Sequence, residues 1–118
     1  MNMPTLKLKA SYDEVSDVLT LYKPHAQVDE SVEVAHELVI DLDKEKRIVN
    51  VELFDAYSFL HTLNNQITKK MLSQDELEVK FVNYRNYWII SLVFNYNNLR
   101  IEEKLPAFAA DFKSPLVV

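Results

Sequence analysis

The chain has 118 residues, 48% of them hydrophobic, a formal net charge of −5, and neither cysteine nor glycine. Its length and apolar content suit one domain with a buried core, and the missing cysteines exclude disulfides and thiolate metal centres. The missing glycines exclude P-loop and dinucleotide-type phosphate cradles, and the negative balance argues against a nucleic-acid backbone as main partner.

In chain order, Leu6, Leu8, Ala10 and Tyr12 alternate with Lys7, Lys9 and Ser11, a first strand by its period of two. Residues 13–17 turn the chain, and 18–22 form a second strand. Pro24 ends it, because proline cannot donate to a ladder. A loop over 25–31 leads to Val32, Val34, His36, Leu38, Ile40 and Leu42, which share one face of a third strand running from 32 to 42. An acidic turn over 43–46 joins it to a fourth strand carrying Ile48, Val49, Val51 and Leu53. No glycine is present there, so an Asp or Lys must take any position of positive φ.

The period then lengthens. Ala56, Phe59, Leu60, Leu63, Ile67 and Met71 recur at helical spacing, which predicts one amphipathic helix over 56–72, capped by Asp55 and bent near Asn64 and Asn65. Ser73 and Glu76 have capping-box spacing, but Leu77, Val79 and Phe81 alternate, so a strand follows. The segment 87–96 is apolar on both faces and is expected as a central strand covered on both sides. Asn97 and Asn98 stand where a turn calls for glycine, and 99–105 is the last strand.

The expectation is thus a single α+β domain over 1–118, predominantly antiparallel β with about seven strands. One helix separates a four-strand part from a three-strand meander over 75–105. An apolar tail over 106–118 follows. With no apolar leader in the first twenty residues and no apolar run long enough to span a bilayer, a cytoplasmic location without a membrane partner is expected.

The segments around Tyr12-Asp13, 17–21, 30–35, 38–43 and 48–56 together resemble the YuzE-like family of small domains of unknown function. Its pattern is Tyr-Asp, a short apolar strand, an acidic segment leading to a strand that ends in Asp-x-Asp, and an Ile-Glu-Ile-x-x-Ala segment. The likeness covers about residues 6–56. It implies the strand order of that half and a helix after Ala56, and it brings no catalytic residues. The chain departs from the pattern where glycines are usual: before Leu38, after Asp43 and near Asn50.

Four constellations bear on chemistry. Asp41, Asp43, Glu45 and Glu52 match positions of a calcium loop, but Lys46 stands where that loop needs glycine, and strands rather than helices flank it. His36 lies among apolar positions, and alternation sets it opposite Glu33 and Glu37. No spacing among His25, His36 and His61 supports a zinc site. Asp13, Glu14 and Asp17 gather at the first turn, where solvated acids are usual. The serines lack the glycines of a nucleophile elbow. Tyr84, Arg85 and Tyr87 combine aromatic rings with a cation, a composition that protein interfaces favour and that also stacks single-stranded bases.

These observations favour a non-enzymatic interaction or self-association domain that needs no cofactor or metal, with a protein partner or a second copy of itself. The expected interface is Tyr84, Arg85, Tyr87, Phe108, Phe112 and Leu116. The alternatives are a small ligand-binding protein or enzyme built on His36 and nearby acids, and single-strand nucleic-acid binding through Tyr84, Arg85 and Tyr87.

Overall fold

In the computed structural model, residues 5–35, 37–84, 87–105 and 108–109 are described. The chain forms strands β1 (Thr5–Asp13), β2 (Val18–Tyr22), β3 (Glu30–Ala35), β4 (Leu38–Leu42) and β5 (Ile48–Phe54). Helices α1 (Ala56–Leu63) and α2 (Lys69–Leu72) come next. Strands β6 (Glu76–Tyr84), β7 (Tyr87–Tyr96), β8 (Leu99–Lys104) and the two-residue β9 (Phe108–Ala109) complete it. All the strands join one antiparallel sheet in the order β3-β4-β5-β2-β1-β6-β7-β8, with β9 also on β7.

The predominantly antiparallel α+β character expected from the sequence holds, and three details differ. The run 32–42 is two strands, not one: β3 and β4 form a hairpin in which Ala35 faces Leu38. Residues 36–37 of the sequence, between the two strands, include no glycine, proline or asparagine, so the alternation of apolar residues continues through them unbroken. The N-terminal part therefore has five strands. The two halves are also not separate layers. β1 pairs with β2 on one side and with β6 on the other, which joins everything into one sheet. Third, the expected single helix is two. Asn64 is extended at φ −149°, its side chain accepts from the Gln66 amide at 2.9 Å, and Thr68 then caps α2.

The inward face of every long strand feeds one core. Leu19 and Leu21 of β2, Leu38 and Ile40 of β4, Val51 and Leu53 of β5, and Val79 of β6 meet Leu60 of α1 and Leu72 of α2. Each such leucine or isoleucine contributes about 1.5–3 kcal/mol by leaving water. The sheet curls around this core far enough for β3 and β9, from its two margins, to approach within 8 Å between Cα atoms.

Strand β7 is buried on both faces, by different means. Ile90, Leu92 and Phe94 enter the core, while Ser91 and Val93 face outward and are also buried. Lys80 of β6 reaches diagonally over β7 to Glu102 of β8, Nζ to Oε1 2.8 Å, and Arg100 lies 3.7 Å from the same carboxylate. Long charged side chains thus roof the outer face with their stems.

Among the described residues, six have positive φ, none of them glycine: Asp17, His25, Lys46, Asp55, Asn97 and Asn98. Each lies at a turn or junction where glycine would serve without strain. Asn97 and Asn98 form the two-residue connection between paired Tyr96 and Leu99, the geometry of a type I′ hairpin.

Candidate functional site

The polar chemistry of the β1–β2 turn resolves into a structural latch. Asp17 Oδ1 accepts from the Tyr12 hydroxyl at 2.7 Å and the Tyr57 amide at 2.8 Å, and its Oδ2 accepts from the Ser58 hydroxyl at 3.0 Å. The Ser58 amide donates to Oδ2 at 3.3 Å, and the Asp17 carbonyl accepts from the Ala56 amide at 2.9 Å. A carboxylate thus caps α1 from forty residues away. Asp55, the expected cap, occupies the N-cap position at φ 52° and makes no side-chain cap bond, because a capping side chain needs an extended backbone.

Burial works to raise the pKa of Asp17. The Tyr12 hydroxyl, the two amides and the Ser58 hydroxyl outweigh it and hold the carboxyl below its usual range. Burial, and then the bond and charge of Asp17, push the Tyr12 hydroxyl well above its ordinary value. Around the latch, His61 stacks on Tyr57 with ring centroids 4.9 Å apart. Lys69 sits 5.3 Å over the Tyr57 ring and 3.3 Å from Glu14. His61 Nδ1 donates to the Ile67 carbonyl at 2.9 Å. These groups hold α1, α2 and the first turn to one another.

The acidic turn is likewise occupied internally. Asp43 accepts from the Glu45 and Arg47 amides and from Arg47 Nε, each at 2.9 Å, while Asp41 is held by Ser31 at 2.6 Å and Asn50 at 3.1 Å. Glu45 shares Arg47 with Asp43, at 3.4 Å, while Asp41 turns to Ser31 and Asn50, and Lys46 takes the left-handed position at φ 65°.

The opposite end of the hairpin is open. Strand β2 pairs with β1 only from Lys9 to Asp13 and turns away at Lys23-Pro24, after a last bond from the Lys23 amide to the Val49 carbonyl at 2.9 Å. Past that point β1 and β5 run on without β2 between them. A cleft of about 450 Å³ lies there, lined by Leu6, Leu8, Ile48, Val49 and Phe81, with Lys7, Lys23, Lys46 and Arg47 around them. Asp43 is the single carboxylate among the lining residues, and Arg47 already holds it. Leu8 and Val49 are each only 3% exposed, but Leu6 is 42% exposed at the mouth. Among the described residues, no carboxylate lies within 4 Å of Lys7 or Lys23. Sequence reasoning missed this site, because it depends on β2 being shorter than both neighbours. The early proline was its only sign.

Of the expected interface residues, Tyr84 pairs in register with Tyr87 across β6 and β7, and Phe108 of β9 pairs with Trp88. All three positions stand at the same end of the sheet as the cleft, since Thr5 faces Lys80. Arg85, Phe112 and Leu116 lie outside the described residues, and so does His36. Among the described residues, no group of three or more His, Asp or Glu side chains could hold a metal ion. No helix of the described residues is long and apolar enough to cross a membrane.

Compared with known proteins, residues 9–56 match the model of a family described as a protein of unknown function, DUF2283. That segment runs from β1 into the start of α1 and contains the latch aspartate and the acidic turn; β6 to β9 lie beyond it. No curated protein and no solved structure matches the chain.

Proposed function

We propose that this chain is a non-enzymatic interaction domain that receives a protein partner at the open end of its sheet. The observation that carries this reading is the cleft beside β1: an apolar floor ringed by four cationic side chains, on a chain of net charge −5. Lys46 and Arg47 also serve Asp29, Asp43 and Glu45, but Lys7 and Lys23 have no carboxylate within 4 Å among the described residues, and cations so placed over an apolar floor match an anionic, apolar partner. The DUF2283 segment is consistent with the YuzE-like resemblance and supplies the acidic turn beside this end and the latch at the other end of the hairpin. The absence of cysteine suits a reducing cytoplasm.

The test is amide chemical-shift mapping with the anionic apolar dye 8-anilinonaphthalene-1-sulfonate. Shifts should gather at residues 5–8, 23, 46–49 and 81, and should shrink in the Lys7→Glu/Lys23→Glu double variant. A dye that leaves those amides unmoved overturns the reading.

Self-association is a second reading, favoured by the neighbouring positions of Tyr84, Tyr87 and Phe108 at the same sheet end. It would not run through the sheet margins, where Glu33 on one side and Arg100, Glu102 and Lys104 on the other oppose edge pairing. Sedimentation over a wide concentration range decides it. A strict monomer whose solubility is unchanged by deletion of residues 106–118 removes it.

A further inference from the structure

The cleft has the dimensions of a missing strand. β1 and β5 are the two neighbours of β2, so where β2 stops they are separated by two interstrand spacings, about 9.6 Å. That gap is one vacant strand position. It runs along residues 5–8 of β1, which pair with β6 on one side and, among the described residues, with no strand on the other. At about 3.4 Å per residue, this length takes roughly four residues of an extended chain.

We infer that the cleft takes an extended acidic and apolar peptide segment of a protein partner, added as a strand in the position β2 vacates and antiparallel to β1. The inference rests on the interaction reading above and names its partner's chemistry. Three features decide the class of ligand. The floor of Leu6, Leu8 and Phe81 takes apolar side chains at alternate positions of a strand. The rim of Lys7, Lys23, Lys46 and Arg47 selects carboxylates at the positions between them. The main-chain groups of residues 5–8 that face away from β6, those of alternate residues, separate a peptide from a small amphiphile. A hydrocarbon tail laid in the gap would strip water from those N–H and C=O groups without replacing its hydrogen bonds. A peptide backbone supplies them. Both β1 and β5 run opposite to β2, so one strand is antiparallel to both neighbours at once.

The experiment titrates the full chain with a blocked hexapeptide of alternating glutamate and valine, read by amide shifts and hydrogen exchange. The expected result is perturbation at residues 5–8 and 46–49 with slowed exchange along 5–8. About tenfold weaker binding is expected for a lysine–valine hexapeptide, for an alternately N-methylated glutamate–valine hexapeptide, and for Lys7→Glu or Lys23→Glu. Lys70→Glu, on the exposed side of α2, should leave affinity unchanged. The strand-addition inference is overturned if the N-methylated peptide binds equally well, or if octanoate perturbs these amides and the hexapeptide does not. It is also overturned if the same amides shift on concentrating the protein alone, which assigns the cleft to a second copy. Failure of the hexapeptide while the sulfonate dye still maps to the cleft defeats this inference alone, whereas silence of both defeats the interaction reading as well.

Discussion

The two ends of the β1–β2 hairpin treat their polar groups in opposite ways. At the turn, the Asp17 carboxylate takes hydrogen bonds from Tyr12, Tyr57 and Ser58, joining residues forty positions apart. At the far end, Lys7 and Lys23 have no carboxylate within 4 Å among the described residues, and residues 5–8 of β1 lack a second strand. The sealed end stabilises the fold, because each polar group there has exchanged water for a protein partner. The open end keeps its polar groups hydrated, so they remain available to a ligand. Charge in itself does not distinguish a functional residue from a structural one; its remaining hydrogen-bonding capacity does.

The comparison breaks most readily at Asp17. Asp17→Ala removes the cap of α1 and the acceptor of the Tyr12 hydroxyl together, and should cost about 2–3 kcal/mol, read as a lower urea midpoint at unchanged m-value. Asp17→Asn keeps an acceptor oxygen and should lose less. Tyr12→Phe, which only removes a donor, should cost about 1 kcal/mol. An Asp17→Ala variant as stable as the parent would mean that the latch is incidental.

Acid and base test the same end at somewhat smaller amplitude. The folded pKa of Asp17 lies below its unfolded value, so its contribution is present above about pH 4 and is lost as pH falls through the folded value. Asp17→Asn should therefore flatten the acid limb of the stability profile. Tyr12 is shifted the other way from its ordinary 10.0, so its contribution is present below pH 10 and declines above it. Tyr12→Phe should remove that alkaline decline. Urea midpoints taken from pH 2 to 11 on the three proteins check both signs.

Much of this architecture is legible in the sequence, and its failures have a common cause. Period-two and helical spacing locate β1, β2, β5 to β8 and the helical region, because burial of one face imposes those periods. Asn97 and Asn98 are readable as a turn because asparagine is the usual substitute for glycine at positive φ. What escapes is whatever depends on distant parts of the chain. The β3–β4 turn carries no turn residue, so Val32 and Leu38 read as members of one strand. Asp55 precedes the helix and looks like its cap, whereas the actual cap comes from a different hairpin. The cleft exists only because three strands of unequal length are adjacent, which local periodicity does not reveal.

Two substitutions away from both ends should raise stability modestly and so set a baseline for the comparison. Ser91 is fully buried under the Lys80–Glu102 pair and its hydroxyl has no partner among the described residues. Ser91→Ala should be neutral to stabilising by up to about 1 kcal/mol, since a desolvated hydroxyl without a bond is a net cost. Asn98→Gly relieves a left-handed position at φ 66° and should add about 0.5 kcal/mol, reduced by the extra freedom glycine gives the unfolded chain. Thermal midpoints of both variants provide the check.

The smallest expected effect is the most informative about the open end. Lys7→Glu and Lys23→Glu reverse charges that line the cleft and have no carboxylate within 4 Å among the described residues, although Lys7 stands opposite Glu78 of β6 in register. If these lysines hold the sheet together, reversal should destabilise the protein as a broken ion pair would. If they face a ligand, each variant should stay within about 0.5 kcal/mol of the parent in urea, the usual range for exposed positions without a structural partner. Their charge also acts between themselves: Lys7, Lys23, Lys46 and Arg47 crowd one rim, and Lys23→Glu relieves repulsion at low salt, whereas Lys7→Glu offsets that gain by facing Glu78 across the strands. A slight stabilisation by Lys23→Glu that fades as salt is added is therefore the specific outcome for a rim kept cationic for binding. A loss of more than about 1 kcal/mol would place these lysines with Asp17, among the groups the fold has already used.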